Sequence, residues 1–427
     1  MNDLHEKLIN AIEERKDELF NILSKLIQTN SENFGSYGNE LECAQYILKL
    51  FQDMGVQADL YSPDSVEGMT SHPDYLPGRS LHNRPNVTAW IPGNYLAAGQ
   101  SKEPKRKLML AAHSDTMPVG DESKWSVPPL GGIIRDGRIW GRGACDDKYG
   151  IAVAIFLMRL LKDLGIILDY DLFFTAYSDE EHGGGNGALA SCLKYPCDDY
   201  LNMDCKKFEI WNCAIGGQVV KATVRSKTPV DSCAVVADGL FLVKEEFFKF
   251  KERRLQEISA DPHYTGTVIP DTSMRIMEFT AGKAGNDLDV GYINVVFYTT
   301  KTEKEIQEEF KLMKEVLKPK LDALGLELVE IKPTTRFFHY APSQDNNPVI
   351  KLLNEVSEKI GNGPLTVCGS CLSDLSLFIK YGSPRAISFG IGRDFDEYGG
   401  AHQTDEFIDC DELVRLAKIV GVFLLEY

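Results

Sequence analysis

Apolar and polar positions alternate in two ways along the chain. Between residues 15 and 28, Leu19, Phe20, Ile22, Leu23, Leu26 and Ile27 recur at helical spacing, and Leu41, Ala44, Leu48 and Phe51 repeat the pattern up to Gly55. Both stretches predict packing helices. Residues 86–91, 108–112 and 171–177 are short apolar or β-branched runs of the kind that form buried strands. Residues 151–161 are apolar on almost every face and predict a mostly buried helix. Strands alternating with helices in this way give an α/β domain.

The character changes from about residue 214 to 334. The order there is strand (218–225), long helix (234–258), strand (274–280), a turn through Gly282 to Asn286, strand (290–300), helix (303–324) and strand (326–331). A β-α-β-β-α-β order is the ferredoxin-like arrangement. Afterwards the first pattern returns, with helices near 349–360 and 372–381, a strand at 386–389 and a closing helix from Asp411. Residues 1–213 and 335–427 are therefore expected to form one domain into which 214–334 is inserted. At 427 residues the chain is long enough for two cores. Gly216, Gly217 and Pro333 at the junctions predict a hinge.

Composition narrows the partners. With 43% hydrophobic and 26% charged residues the chain reads as an ordinary soluble globular protein. Its net charge of −17 disfavours nucleic acid and anionic membrane surfaces, which are bound through an excess of Lys and Arg. Metal cations and small substrates stay open. The first residues have no apolar signal core and no run is long enough to span a bilayer, so a cytoplasmic protein is expected. The ten cysteines are expected as free thiols, and the CxxC spacing of Cys368 and Cys371 as a coincidence of a glycine-containing loop.

Candidate chemistry sits where the apolar runs stop. His113 and Asp115 follow the run at 108–112, and an i, i+2 pair on a strand points to one side, which suits a metal ligand and a carboxylate that orients it. Asp146 falls between a short strand (139–140) and the helix at 151–161. Asp179-Glu180-Glu181 follows the run at 171–177, Asp204 follows 200–203, and His402 follows the strand at 386–389 and a glycine-rich loop. Adjacent carboxylates at a strand end face different ways, so one can hold a metal while its neighbour works on water. The competing explanation is a satisfied core histidine above glycine turns, and it weakens as the pattern recurs. A nitrogen and oxygen donor set without cysteine suits Zn²⁺, with Mn²⁺ or Co²⁺ as substitutes. His72 and His82 read as solvated loop residues, and His182 as a surface residue or one just behind the ligands.

His113-Ser-Asp115, Trp125 to Pro129, Gly141-Arg-Gly-Ala-Cys-Asp146-Asp-Lys148, Asp179-Glu-Glu181, Asp204 and Ala401-His402 together resemble the co-catalytic zinc peptidase family of acetylornithine deacetylase, succinyl-diaminopimelate desuccinylase, aminoacylase, peptidase V and glutamate carboxypeptidase. The resemblance implies a zinc-exopeptidase-like catalytic domain with a central mixed sheet and a lid or dimerisation domain, through which a homodimer is an open expectation. It also implies that Asp146 bridges two metals, that His113 and Asp204 complete one site and Glu181 and His402 the other, that Asp115 orients His113, and that the peptide after Asp146 is cis. Glu180 would be the base that takes a proton from the attacking water and passes it to the leaving amine. The chain departs from the family pattern in its inserted block. No histidine follows the first strand there, where Arg225-Ser-Lys-Thr-Pro stands instead, and the family's arginine is missing near Tyr298 to Lys301. His263 is the candidate replacement for the oxyanion-holding histidine, Asn286 lies in a stretch like the family's substrate loop, and Arg393 is the candidate carboxylate clamp. The expected function is a dinuclear metal-dependent amidohydrolase acting on a dipeptide or N-acyl amino acid, with Asp147 slightly favouring the dipeptidase members. The alternative is a metal-binding member that has lost catalysis. Retention of Glu180 with every ligand speaks against it.

Overall fold

The computed structural model describes residues 2–93, 106–282 and 287–427. The chain forms two compact units, Met1–Asn212 with Pro342–Val367 and Leu377–Tyr427, and Cys213–Ala341 with Cys368–Ser376. Among the described residues no helix is long and apolar enough to cross a membrane.

The larger unit carries helices α1 (Asp3–Glu14), α2 (Lys16–Gln28), α3 (Leu41–Asp53), α4 (Lys148–Asp163) and α5 (Asn186–Lys194), and strands β1 (Gln57–Tyr61), β2 (Asn86–Ile91), β3 (Lys107–His113), β4 (Ile133–Arg135), β5 (Arg138–Trp140), β6 (Asp171–Tyr177), β7 (Asp199–Asn202) and β8 (Ile210–Ala214). Its main sheet runs β1-β2-β6-β3-β7, then the strand Ile387–Phe389, then β8. β3 is parallel to both β6 and β7, while β2 is antiparallel to β6, so the sheet is mixed. Leu108 to Ala112 in β3 and Ile151 to Met158 in α4 are fully buried. Each large apolar side chain so placed contributes about 1.5–3 kcal/mol relative to exposure, which explains why these runs lack the polar face of a surface element.

A smaller sheet orders the strand Phe407–Asp409, β5 and β4, with Phe407 opposite Trp140. That pairing brings Glu406 beside Gly141, whose N–H donates to the Glu406 carbonyl at 2.8 Å. At the start of α4 the buried Lys148 ammonium donates to the carbonyls of Leu26 and Thr29, both 2.9 Å away, and so satisfies the exposed end of α2.

The smaller unit contains β9 (Gly216–Ser226), α6 (Ala234–Ser259), β10 (Met274–Ala281), β11 (Val290–Thr299), α7 (Glu303–Ala323) and β12 (Leu326–Pro333). Its sheet order is β10-β11-β9-β12 with every pair antiparallel, the ferredoxin-like topology. Val220, Ala222 and Val224 of β9 pack with Val243, Phe247 and Phe250 of α6. The unit reaches beyond 214–334, the block read from the sequence. Phe337 joins its core, and Arg336 is tied to Asp374 by a buried ion pair of 2.6 Å, so 335–341 and Cys368–Ser376 go with it. The helix expected over 372–381 is correspondingly shorter: one α turn at Leu375–Leu377 runs into a π turn at Phe378–Gly382. All ten cysteines are free thiols.

Candidate metal centre

The parallel strands deliver their ends to one place. His113 closes β3, Glu181 lies just past β6 and Asp204 just past β7, at the carboxyl edge of the sheet where open α/β folds build their sites. Asp146 arrives on the turn before α4, and the peptide joining it to Asp147 is cis. His402 arrives on a loop, in left-handed backbone with φ of 64°.

Together these side chains form two groups that share one carboxylate. His113, Asp146 and Asp204 make one and Asp146, Glu181 and His402 the other, with ligand atoms within 4.8 Å of one another in each. Asp146 turns one oxygen to each imidazole: Oδ1 is 2.9 Å from His113 Nε2 and Oδ2 is 3.2 Å from His402 Nε2. Glu181 Oε2 is 3.0 Å from the same His402 nitrogen.

The electrostatics favour cations here. Burial works against a charge on His113, but the hydrogen bond to Asp146 and the charges of Asp146, Glu180 and Asp115 outweigh it and hold its pKa well above the imidazole range. His402 is raised in the same way, burial being outweighed by Glu181 and Asp146. Burial opposes the Asp146 charge too, yet its contacts with both imidazoles hold its pKa below the carboxylate range. Two imidazoles facing carboxylates, with no thiol in either group, fit divalent ions of borderline or hard character. Cys145, next to Asp146, stays a thiol because burial, with Glu406 and Asp146 nearby, pushes its pKa far up.

Asp115 does not act as the i, i+2 rule suggested. His113 Nδ1 is 2.9 Å from the backbone carbonyl of Asp115 and 3.8 Å from its carboxylate. β3 ends at His113, so the alternation of strand side chains no longer governs Asp115. Its carboxylate instead accepts from the Glu180 N–H (3.1 Å), the Glu181 N–H (3.0 Å) and Asn33 Nδ2 (2.8 Å). The residue still fixes the imidazole through its carbonyl, while its side chain holds the turn that carries Glu180 and Glu181. Glu180 is half-buried beside the ligands, and Glu181 is buried.

The remaining expected residues are placed as follows. His263 lies in the smaller unit on the turn Pro262–Tyr264, with Nδ1 2.9 Å from Asp261 Oδ1. Arg393 has its guanidinium 3.4 Å from Asp409 and 3.7 Å from Glu397, over the Phe407 ring. Asn286 lies outside the described residues. His182 is exposed.

Residues that the sequence did not single out surround the ligands. Arg79 and Arg84 both reach Asp179, at 2.7 and 2.8 Å, and Arg84 also pairs with Glu40 at 2.6 Å. Arg142 pairs with Glu406 at 2.7 Å and donates to the His402 carbonyl at 3.2 Å. Of these, Arg142 and Asp179 lie inside the quoted motifs and Glu406 is four residues past His402. Glu40, Arg79 and Arg84 have no local signal at all.

The sequence profile of peptidase family M20/M25/M40 matches residues 109–426. An uncharacterized metallohydrolase of Methanocaldococcus jannaschii is 25% identical over 94% of this chain and 98% of its own length. A succinyl-diaminopimelate desuccinylase of Bradyrhizobium is 30% identical over 40% of each chain. The solved dipeptidase Dug1p of Saccharomyces cerevisiae shares the fold, with a TM-score of 0.73 and 15% identity over 99% of this chain and 98% of that one. With its profile match running from β3 to the last helix, and a shared carboxylate between two ligand groups, the chain belongs to peptidase family M20/M25/M40 and is a metal-dependent hydrolase of amide bonds.

Proposed function

We propose that the chain hydrolyses the amide bond of a dipeptide or an N-acyl amino acid, with His113 and Asp204 holding one divalent ion, Glu181 and His402 a second, and Asp146 shared by both. When bound, the ions, zinc first among the metals this donor set suits, polarise the scissile carbonyl and acidify water. Glu180 takes a proton from the attacking water and delivers it to the amine nitrogen as the C–N bond breaks, so one water is consumed and the carboxylate is regenerated.

The observation that carries this reading is the Glu180-Glu181 turn. Asp115 holds both peptide N–H groups, Glu181 falls in a candidate ligand group, and its neighbour Glu180, half-buried on the same turn, falls in neither. His263 is the candidate donor to the oxyanion: with Nδ1 against Asp261 Oδ1, Nε2 is the ring nitrogen that would serve. Asn286 remains the candidate substrate-loop residue. Arg393 already has two carboxylate neighbours, which makes it the weaker carboxylate clamp. The smaller unit is the candidate surface for a homodimer. A net charge of −17 supports small substrates over nucleic acid or anionic membranes, and ten free thiols support a cytoplasmic protein.

The test is metal content together with turnover of a dipeptide and N-acyl amino-acid panel. Two ions per chain are expected in both wild type and Glu180→Gln, with kcat lowered about 10²- to 10⁴-fold in the variant. Equal turnover by the two proteins would refute Glu180 as the base, and a wild type that binds two ions but cleaves nothing would favour a binding protein.

A further inference from the structure

Arg79 lies in the polar, proline-containing segment between β1 and β2, yet its guanidinium reaches the turn that carries the base. Nε donates to Asp179 Oδ1 at 2.7 Å, Nη2 to the Glu181 carbonyl at 3.0 Å and Nη1 to the His182 carbonyl at 3.4 Å. One planar group thus grips the residues on both sides of Glu180. Those residues need holding, because Asp179 and His182 have φ of 64° and 57°, left-handed backbone that side-chain-bearing residues seldom adopt.

The grip is anchored from behind. The Asp179 carboxylate is fully buried and also faces Arg84, which pairs in turn with the buried Glu40. The Glu181 carbonyl accepts a second bond from Asn33 Nδ2 at 3.0 Å. The Arg79 segment is itself pinned: Leu76 exchanges two hydrogen bonds with the Asn186 side chain at 3.0 and 3.1 Å, and the Ser80 N–H donates to the Ser36 carbonyl at 2.7 Å. The Arg79 side chain is 8% exposed, enough for its head to border solvent.

We propose that Arg79 is a positioning residue for the reaction, fixing the direction of Glu180 through the Asp179 to His182 turn without touching substrate. The inference rests on Glu180 being the base. The role needs a fork of several N–H groups in one plane, which an ammonium does not supply. A misplacement of about 1 Å at a reacting group costs on the order of a hundredfold in rate. Loss of Arg79 should therefore appear in kcat rather than in KM.

The experiment compares metal-loaded wild type, Glu180→Gln, Arg79→Ala and Arg79→Lys on the best panel substrate, with metal content and thermal unfolding measured on each. A kcat lowered about 10²- to 10⁴-fold in Glu180→Gln secures the underlying reading, and failure there would be a failure of that reading alone. Arg79→Ala is expected to lose about ten- to a hundredfold in kcat with KM within about twofold, to keep two ions, and to recover activity as guanidinium chloride is added at sub-denaturing millimolar concentration. Arg79→Lys is expected to stay well below wild type. An unchanged kcat in Arg79→Ala, full activity in Arg79→Lys, or a loss that guanidinium does not relieve would each overturn the proposal. Should Arg79→Ala fail to fold, the kcat and KM of Arg79→Lys decide alone.

Discussion

Removing the Glu406 carboxylate should loosen one of the two ion sites and leave the other largely intact. Glu406 and Arg142 are 1% and 4% exposed, with Oε2 2.7 Å from Nη1. The other oxygen, Oε1, accepts from the Cys145 N–H at 2.9 Å, next to Asp146, and Arg142 Nη2 donates to the His402 carbonyl at 3.2 Å. The pair therefore ties the Asp146 turn to the His402 loop. Glu406→Ala leaves a buried guanidinium without its carboxylate, which costs about 3–5 kcal/mol, a large part of the roughly 5–15 kcal/mol that holds a domain folded. It also frees the His402 loop, and loss of a partner behind a metal ligand weakens binding about 10- to 100-fold. His113 stands on a central strand and Asp204 just past another, so their group keeps both its own side chains and feels the change only through the shared Asp146. Titration in a metal buffer is expected to show one ion bound as in wild type and one bound about 10- to 100-fold more weakly. An Arg142→Met/Glu406→Leu double variant should regain much of the stability, since apolar replacement of a buried pair is often neutral, but not the affinity. Two ions bound with wild-type affinity in Glu406→Ala would refute the brace.

Glu40 should set part of the pH dependence of stability. Burial lifts its pKa from 4.5 to about 8 against the pull of Arg84, with Asp115 adding to the rise. A carboxyl raised in the folded state contributes its stability fully below 4.5 and loses it as pH rises towards about 8; Glu40→Gln should flatten that decline in urea unfolding series, and an unchanged slope would refute it. Thiol reactivity should follow burial: alkylation of the native protein is expected to label Cys233, Cys368 and Cys371 and to spare the seven buried cysteines, read by peptide mass. Fast labelling of Cys145 would contradict its packing.

Three of the five candidate ligands, His113, Glu181 and Asp204, were legible because each stands where an apolar run ends. β3, β6 and β7 are buried strands, and an acid or histidine just past such a strand has few reasons to be there other than a site. The ferredoxin-like order was legible for a related reason, since both helices and all four strands are long enough to show their periods. Asp115 was misread because the strand rule was carried two residues past the end of β3. The edge of the smaller unit was misread because Arg336 and Asp374, 38 residues apart, are joined by an ion pair that no local pattern announces.

The same limit hid the charges behind the ligands, and charge balance shows what they do. Asp146, Glu180, Glu181 and Asp204 bring four negative charges to the centre, the number that two divalent ions neutralise. Behind them, Asp179 pairs with Arg79 and Arg84, Asp115 lies in the field of Arg84, and the layer is neutral when one of its buried carboxyls, Glu40 or Asp179, is protonated. Burial raises the pKa of both, that of Glu40 to about 8. A layer that is neutral by itself can hold the Glu180 turn rigidly without competing for the ions or being pulled towards them. The partners of that layer lie 44 and 100 residues apart. Buried charge requires a partner, but which arginine serves which carboxylate is decided by the fold, so the ligands could be read from the chain and their supports only from the structure.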